Sequence, residues 1–595
     1  SVSGADNTAI GKNTLTALTS GASNTAVGSG TLALNTTGEK NVAVGYVALE
    51  ANTIGNNNTA VGENALADNT TANNNTAIGF DALGDNSTGS ENTSIGAEAL
   101  QKNTTADSNT AVGFRSLEET TTGSSNTAIG RDCLEANTTG ASNTAIGRDA
   151  LTNNQTASNN TAIGAYALLA NTTGGPNTAV GLGALRDNTT GSHNTAVGYV
   201  SGENITTGTK NTSMGTHSLD VLTTGSFNTA IGQDALGNAT TSSSNTACGQ
   251  NALAAVTTGS QNNAFGHEAL NSITSNTQCN AFGQSALKNF SSTTGKCNAF
   301  GQQALEDCTS GISNSAFGHD VLRECTSGDN NTAMGHAALQ TSTTATANTA
   351  MGKAALVSAT TGGQNTAVGV DALKLVTTGT NNVGIGYEAN QSCTTGGSNV
   401  GVGVSTLLSL STGNNNIGIG SDGGRGISTG SNNICIGQDA GRSNSPSGQI
   451  TTGSNSVVLG NNSITNLFCA DTSISSSDSR DKTDIADFNI GLAWINALRP
   501  VTYRWDRRTW YGTDEEPYGT PDGSKKRIKT HIGFLAQEAL EVEKANGYGT
   551  SNDDSLVVNL TDDGMSYGMK YERLVPILVN AIKELSAKVT ALEAG

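Results

Sequence analysis

A pentad, Asn-Thr-Ala-(Ile/Val)-Gly, recurs through most of this chain at a spacing that leaves few folds open. Its glycine falls at Gly11, Gly28, Gly45, Gly62 and onward to Gly283 in steps of 17 residues. One step of 18 reaches Gly301, and 17 then resumes to Gly437, giving 26 copies. The full unit reads N-T-A-I/V-G-x-x-A-L-x-x-N-T-T-G-x-x, as in residues 24–40. A fixed period of this length is the mark of a stacked repeat architecture, in which each unit buries its apolar side chains only against its neighbours.

The positions within the unit carry separate physical expectations. Thr and Ile/Val at positions 2 and 4 alternate with Asn, Ala and Gly at 1, 3 and 5, which is strand periodicity. The branched residues are expected on the buried face. Position 9 is Leu in most copies, among them Leu15, Leu32, Leu49, Leu66, Leu83 and Leu100. One Ile/Val and one Leu per unit make no globular core, but stacking turns them into apolar ladders. Thr-Thr-Gly at positions 13–15 predicts a turn with Gly supplying positive φ. Asn at position 1 suits either an amide ladder along the stack or a plain turn. Late copies change: Asn382-Val383-Gly384-Ile385-Gly386, Asn399-Val400-Gly401-Val402-Gly403 and Asn416-Ile417-Gly418-Ile419-Gly420 lose the methyl at position 3. Closer backbone approach is expected there. Stacked at about 4.8 Å per coil, 26 coils span roughly 125 Å.

Composition agrees. Of 595 residues, 74 are Gly and 6 are Pro, 13% are charged and 4% aromatic. Too few large apolar side chains are present for an ordinary enzyme core of this length. Gly at about one residue in eight excludes collagen, which needs one in three. No apolar run approaches the roughly 18 residues of a membrane span, and no signal peptide is visible at Ser1. The net charge of −19 divides into −15 over residues 1–477 (30 acidic, 15 basic) and −4 over 478–595 (19 acidic, 15 basic). An acidic shaft argues against nucleic acid, which selects Lys/Arg patches. Nine cysteines, an odd number without paired spacing, point to reduced thiols and assembly in a cytosol.

The shaft offers weak candidates for a site. His267, His319 and His336 share position 6, but no H-x-H or H-x-x-x-H spacing occurs, so no metal and no other cofactor is expected. Cys308, Cys325 and Cys393 share position 12 and read as small apolar filler. Tyr46, Tyr166, Tyr199 and Tyr387 are scattered, and the Thr rows are expected of any turn repeated 26 times.

The period breaks after Gly437. Residues 443–449 form an insertion, 456–460 a last strand-like unit, and 461–477 a Ser/Thr-rich neck. Beyond residue 477 lie all three tryptophans, Trp494, Trp505 and Trp510, and six of the ten tyrosines. The expected division is therefore a shaft over 1–442, an irregular unit and neck over 443–477, and an α+β domain over 478–595. In that domain, residues 491–498 predict a short helix and 499–505 a strand. A closing helix is expected over about 571–593, with Val575, Leu578, Ile582, Leu585, Val589 and Leu592 at spacings of 3 and 4. That is a coiled-coil seam.

Three ordered blocks then resemble a known family. Residues 477–485, S-D-S-R-D-K-T-D-I, fit the S-D-x-R-x-K-x-x-I opening of the endosialidase-type intramolecular chaperone. The G-F-L-A-Q-E block at 533–538 and the Y-E-R-L-V-P-I-L-V-N-A-I-K-E-L helix at 571–585 are similar to it as well. The resemblance covers about 475–595. It implies a C-terminal domain of a phage tail fibre or tailspike that drives trimerisation of a β-structured stalk and then cuts itself off. The implied cut lies between Ser477 and Asp478, with Ser477 as nucleophile and Lys482 as base. On its own terms the chemistry holds: a serine hydroxyl needs a base, and a lysine serves if burial or nearby cations lower its pKa. Attack by Ser477 at its own peptide bond frees Asp478 as a new N-terminus in one turnover. Gln537 and Glu538 belong to a family block and are expected to pack. The pentad itself resembles the S-V-A-I-G repeats of trimeric bacterial adhesin heads, which form β-rolls in three-fold bundles.

The expected architecture is mainly β: a homotrimeric 17-residue-repeat β-solenoid or β-roll, or alternatively a triple β-helix of three intertwined chains, carrying a C-terminal α+β chaperone domain. The expected role is a phage tail fibre or tailspike that attaches to a host-surface glycan or protein receptor, assembled in the host cytoplasm, with no nucleic-acid or membrane partner. A cellular trimeric adhesin is the second reading. A glycan-degrading tailspike is the third, although the strict register leaves no room for a catalytic insertion. No N-terminal virion-anchoring domain is evident.

Overall fold

A computed structural model describes residues 4–466, 482–513, 516, 518–551, 553–560 and 567–595. The chain forms two compact units, Ser1–Gln364 and Asn365–Gly595.

In the first unit, one three-residue strand per repeat runs from β1 (Thr8–Ile10) to β21 (Thr349–Met351). Each pairs in parallel with the strand one repeat along the chain. Thr144, Ala145 and Ile146 stand opposite Thr161, Ala162 and Ile163, for example. The 18-residue step leaves register intact, since β17 (Asn280–Phe282) and β18 (Asn298–Phe300) pair Asn280 with Asn298 and Phe282 with Phe300. Every coil is therefore closed by a single chain. This is a β-solenoid, and the intertwined triple helix is not adopted.

The glycine of the pentad explains why the unit tolerates nothing else there. Gly28 has φ +142°, and a Cβ on it would lie 2.1 Å from the carbonyl oxygen of Gly45 in the next coil. Both the backbone geometry and the space exclude a side chain. The turn differs from the expectation. Positive φ is supplied by positions 7, 9 and 17, as at Val47, Leu49 and Lys40, while Gly38 at position 15 is not among the positive-φ residues. Its carbonyl instead accepts hydrogen bonds from Asn24 Nδ2 at 2.9 Å and Asn35 Nδ2 at 3.0 Å. A left-handed Leu costs about 1–2 kcal/mol. Full burial of that side chain offsets it by about 1.5–3 kcal/mol, and Leu32, Leu49, Leu66 and their equivalents are fully buried.

The face expected inside is outside. In β5 (Thr76–Ile78), β8 (Thr127–Ile129) and nearly every other strand, the central residue is buried and its two neighbours are not. Ala at position 3 and position 8 and Leu at position 9 fill the coil, whereas Ile78, Ile95, Ile129 and Ile163 are each 38–40% exposed. The alternation was legible, but its sense was not. Position 3 abuts the position-9 Leu of the preceding coil, since a Cβ on Gly384 would lie 3.0 Å from Leu373 Cγ, so a methyl fits there and a branched side chain does not.

Polar groups also line the interior. Asn at position 1 forms the ladder that the sequence allowed: Asn41 N and Nδ2 donate to Asn24 Oδ1 at 3.0 and 3.2 Å, and Asn41 Nδ2 also donates to Gly55 O at 2.8 Å. A second ladder at position 12 went unread. Asn52 Nδ2 donates to Asn35 Oδ1 at 2.8 Å, and Asn69 Nδ2 to Asn52 Oδ1 at 2.9 Å. After Asn188 the position becomes mostly apolar, with Ile205, Leu222, Val256, then Cys308 and Cys325, and later Cys393, Leu410 and Ile427, all buried. The Cys308 and Cys325 thiols donate to Gly311 and Gly328 carbonyls at 3.6 Å, as filler with a weak polar link. The eight described cysteines are free, and burial pushes the Cys133 and Cys279 thiols up to about 12.

In the second unit, six coils carry β22 (Thr366–Val368) to β27 (Val457–Leu459). The loss of the position-3 methyl admits different groups: a Cβ on Gly418 would lie 2.6 Å from the backbone carbonyl oxygen of Gly423, whereas one on Gly401 would meet the Asn390 side chain at 2.0 Å rather than backbone. The last pair, Ile434 with Val457, spans 23 residues, so the final coil accommodates the insertion at 443–449. The C-terminal elements are α1 (Leu492–Ala497), β28 (Val501–Tyr503), β29 (His531–Gly533), α2 (Ala536–Ala545), β30 (Val558–Leu560), β31 (Tyr567–Met569) and α3 (Leu574–Ala594). β28 and β29 pair antiparallel, as do β30 and β31. Trp494, Leu498, Ala539, Val557, Val558, Leu574 and Ile577 form their shared core. Among the described residues no helix is long and apolar enough to cross a membrane.

Candidate functional site

The C-terminal domain is small, and one buried carboxylate organises its centre. Glu543, near the end of α2, is fully buried and accepts backbone N–H groups from Leu556 at 3.1 Å, Val557 at 2.5 Å and Val558 at 2.8 Å. Three donors converging on one carboxylate satisfy its lone pairs and fix the start of β30 against α2. Asn580 on α3 donates to the carbonyls of Phe488 and Ile490, which ties the beginning of the domain to its closing helix.

Of the residues expected to carry the cut, Ser477 and Asp478 lie outside the described residues. Lys482 stands at the first described position of the domain and is exposed. Gln537 and Glu538 do not pack: both are exposed on the first turn of α2, and Ala539 is the residue that enters the core. Glu538 instead pairs with Arg499, which donates through Nε at 3.1 Å and Nη2 at 2.5 Å. These hydrogen bonds hold the Glu538 carboxyl below its ordinary range.

A cationic and aromatic cleft of about 600 Å³, lined by residues of the last coil, the neck and the C-terminal domain, was not anticipated. Asn462, in its lining, is held from within the cleft by Thr509 and Arg527 and from beside it by Arg507. Arg507 Nη1 donates to Asn462 Oδ1 at 2.9 Å, Arg527 Nη2 donates to Asn462 O at 2.7 Å, and Asn462 Nδ2 donates to Thr509 Oγ1 at 3.3 Å. Each arginine also lies over an indole, Arg507 at 4.2 Å from the Trp505 centroid and Arg527 at 5.1 Å from that of Trp510. Burial, then the neighbouring Arg527, lowers the pKa of Arg507. The arrangement fixes a chain segment by one side chain and one carbonyl. The signal lay in R-W-D-R-R at 504–508 and K-K-R-I-K at 525–529, two basic runs that the tertiary fold brings together.

The position-6 histidines separate into two kinds. His267 has the Glu268 carboxylate beside it, with Nδ1 3.8 Å from Oε2. His319 and His336, one coil apart, stack with ring centroids 5.3 Å apart.

Comparison with known proteins places one assignment on this frame. Residues 477–548 match the family model described as chaperone of endosialidase. No curated protein and no solved structure matches the chain significantly.

Proposed function

We propose that this chain forms one third of a homotrimeric fibre of the phage tail-fibre or tailspike kind, that it attaches to a host surface, and that its C-terminal domain assembles the trimer and then cuts itself away between Ser477 and Asp478. The observation that carries this reading is the chaperone match beginning at Ser477, at the end of a long repeat shaft.

Two apolar surfaces support assembly from several copies, and the number three rests on the chaperone match. On α3, Leu574, Ile577 and Ala581 face the domain core, but the predicted seam is uncovered: Val575, Leu578, Ile582, Leu585, Val589 and Leu592 are all exposed. Such a stripe on one helix is covered when the same helix of other chains packs against it. The outward position-4 row of the first unit, with Ile78, Ile95, Ile129 and Ile163 partly exposed, is a second apolar surface.

The exposure of Lys482 bears on timing. A lysine becomes a base when burial or nearby cations lower its pKa, and partner chains closing over Lys482 supply that burial only in the trimer. The geometry of attack points the same way. Oγ of Ser477 attacking its own carbonyl closes a strained four-membered ring, whereas attack on the equivalent carbonyl of a neighbouring chain does not. In that route the Oγ proton passes to Lys482, the C–N bond to Asp478 breaks, and the amine leaves with a proton. Water then hydrolyses the ester to free Ser477 and the carboxylate. Incubating purified trimer and sequencing the small fragment is expected to give Asp478 as the first residue, with the Ser477→Ala chain staying full length and trimeric. A different N-terminus, or full cleavage of Ser477→Ala, overturns the mechanism.

A further inference from the structure

We propose that His319, Asp320 and His336 form a binding site for one divalent transition-metal ion of the zinc class, held between two neighbouring coils of the first unit. The register creates the site. β19 (Ser315–Phe317) and β20 (Thr332–Met334) pair Ser315 with Thr332 and Phe317 with Met334, so residues 17 apart sit side by side. His319 and His336, each two residues beyond its strand, are brought face to face with ring planes 3° apart. Asp320 follows His319 directly, and its Oδ2 lies 3.0 Å from His319 Nδ1. One ligand atom from each of the three residues lies within 4.8 Å of the other two.

Two imidazoles and a carboxylate make an open three-ligand set that suits Zn²⁺, with water completing a tetrahedron. Bonds of about 2.0–2.1 Å bring ligand atoms to about 3.3 Å from one another. The ligands must therefore close by on the order of an ångström. His336 is exposed and can swing without losing core packing. The ion takes the place of the 3.0 Å His319–Asp320 contact, and any proton on that nitrogen is released to solvent.

A second observation points to a ligand. Asp320 has only 13% of its side chain exposed, and its Oδ1 is buried without a hydrogen bond. A carboxylate so placed is costly unless compensated. The nearest cation is Arg323, with Nη1 3.6 Å from Oδ1. That guanidinium also donates to Glu324 at 2.9 Å, so Asp320 does not have it to itself. The position-6 row continues with Gln302 before His319 and Lys353 after His336, so the His pair is bounded on both sides. His267 is an internal control: it has the same position and an acidic neighbour, but Gln250 and Gln284 stand at position 6 in the adjacent coils.

The test is Zn²⁺ uptake by the untagged full-length protein, read by equilibrium dialysis, with Co²⁺ absorption reporting the ligand set. One equivalent per chain is expected, with a tetrahedral Co²⁺ spectrum bleached by Zn²⁺. His336→Ala and His319→Ala should each weaken binding at least tenfold, Asp320→Asn should weaken it measurably, and His267→Ala should leave it unchanged. His336 is exposed, so its variant is expected to keep the wild-type circular dichroism spectrum, which separates loss of a ligand from loss of fold. Sub-stoichiometric uptake in the wild type, or uptake that His336→Ala does not reduce, overturns the proposal. Equal loss in His267→Ala also overturns it, because that marks adventitious binding by surface histidines.

Discussion

The two asparagine rows look alike in sequence, but they satisfy different groups. At position 1, Asn143 Nδ2 donates to Ala157 O at 2.9 Å, and its Oδ1 accepts the backbone N–H of Asn160 at 3.0 Å. That amide belongs to the main chain of the next coil and is buried. At position 12, Asn137 Oδ1 accepts only the side-chain Nδ2 of Asn154 at 3.0 Å, which keeps a second acceptor in Ala157 O at 3.0 Å. Removing the first leaves a buried backbone donor with no acceptor, at a cost of about 1–3 kcal/mol. Removing the second strands no backbone group, and later coils carry Ile or Leu there. Asn143→Leu is therefore expected to lower the denaturation midpoint clearly and to speed exchange of the Asn160 amide. Asn137→Leu should change both much less. Equal effects from the two substitutions would show that the rows are interchangeable.

At the scale of elements, α3 divides its apolar residues between two partners. Its inner face meets α1 and the domain core, and among the described residues nothing covers its outer seam. If the seam joins chains, charges placed there should disrupt association without unfolding the domain. Ile582→Asp with Leu585→Asp is expected to abolish trimers in analytical ultracentrifugation while the far-ultraviolet spectrum of the C-terminal domain persists. Trimers of undiminished stability would remove the seam from the interface. Glu543, by contrast, is a fold residue, because its three backbone donors lie inside one domain. The predicted elements of this domain were close. The short helix and the strand after it fall where expected, and the closing helix begins at Leu574 after a single 3-10 turn, Tyr571–Arg573. Helical and strand periodicities survive in a short ordinary globule. The cleft around Asn462 was missed, because it joins residues 45 and 65 positions apart and no local pattern marks such a pairing.

For the whole molecule, the difficulty is starting. A repeat unit without its neighbours buries almost nothing, and many registers compete among near-identical coils. Nucleation by a domain that gathers chains first removes much of that search. Expression of residues 1–477 alone is expected to give aggregated or misregistered shaft, and expression of the full chain to give soluble trimers. Soluble trimers from both at the same yield would end the chaperone role for residues 478–595.

Sequence alone determined the period, the number of repeats, the parallel register and the change of architecture beyond the last repeat. Each coil places the same residue in the same environment, so the environment prints itself 26 times. It also carried the chaperone resemblance, through three short blocks. The tertiary structure decided which side of each strand faces in. Alternation is symmetric, and only the packing of position 3 against the position-9 Leu selects Ala over Ile/Val for that inner face. It decided that Asn at position 12 forms a second ladder, and that His319 and His336 are neighbours although no helical or strand spacing relates them. Both depend on contact between coils, where a separation of 17 residues in sequence becomes the distance between adjacent strands.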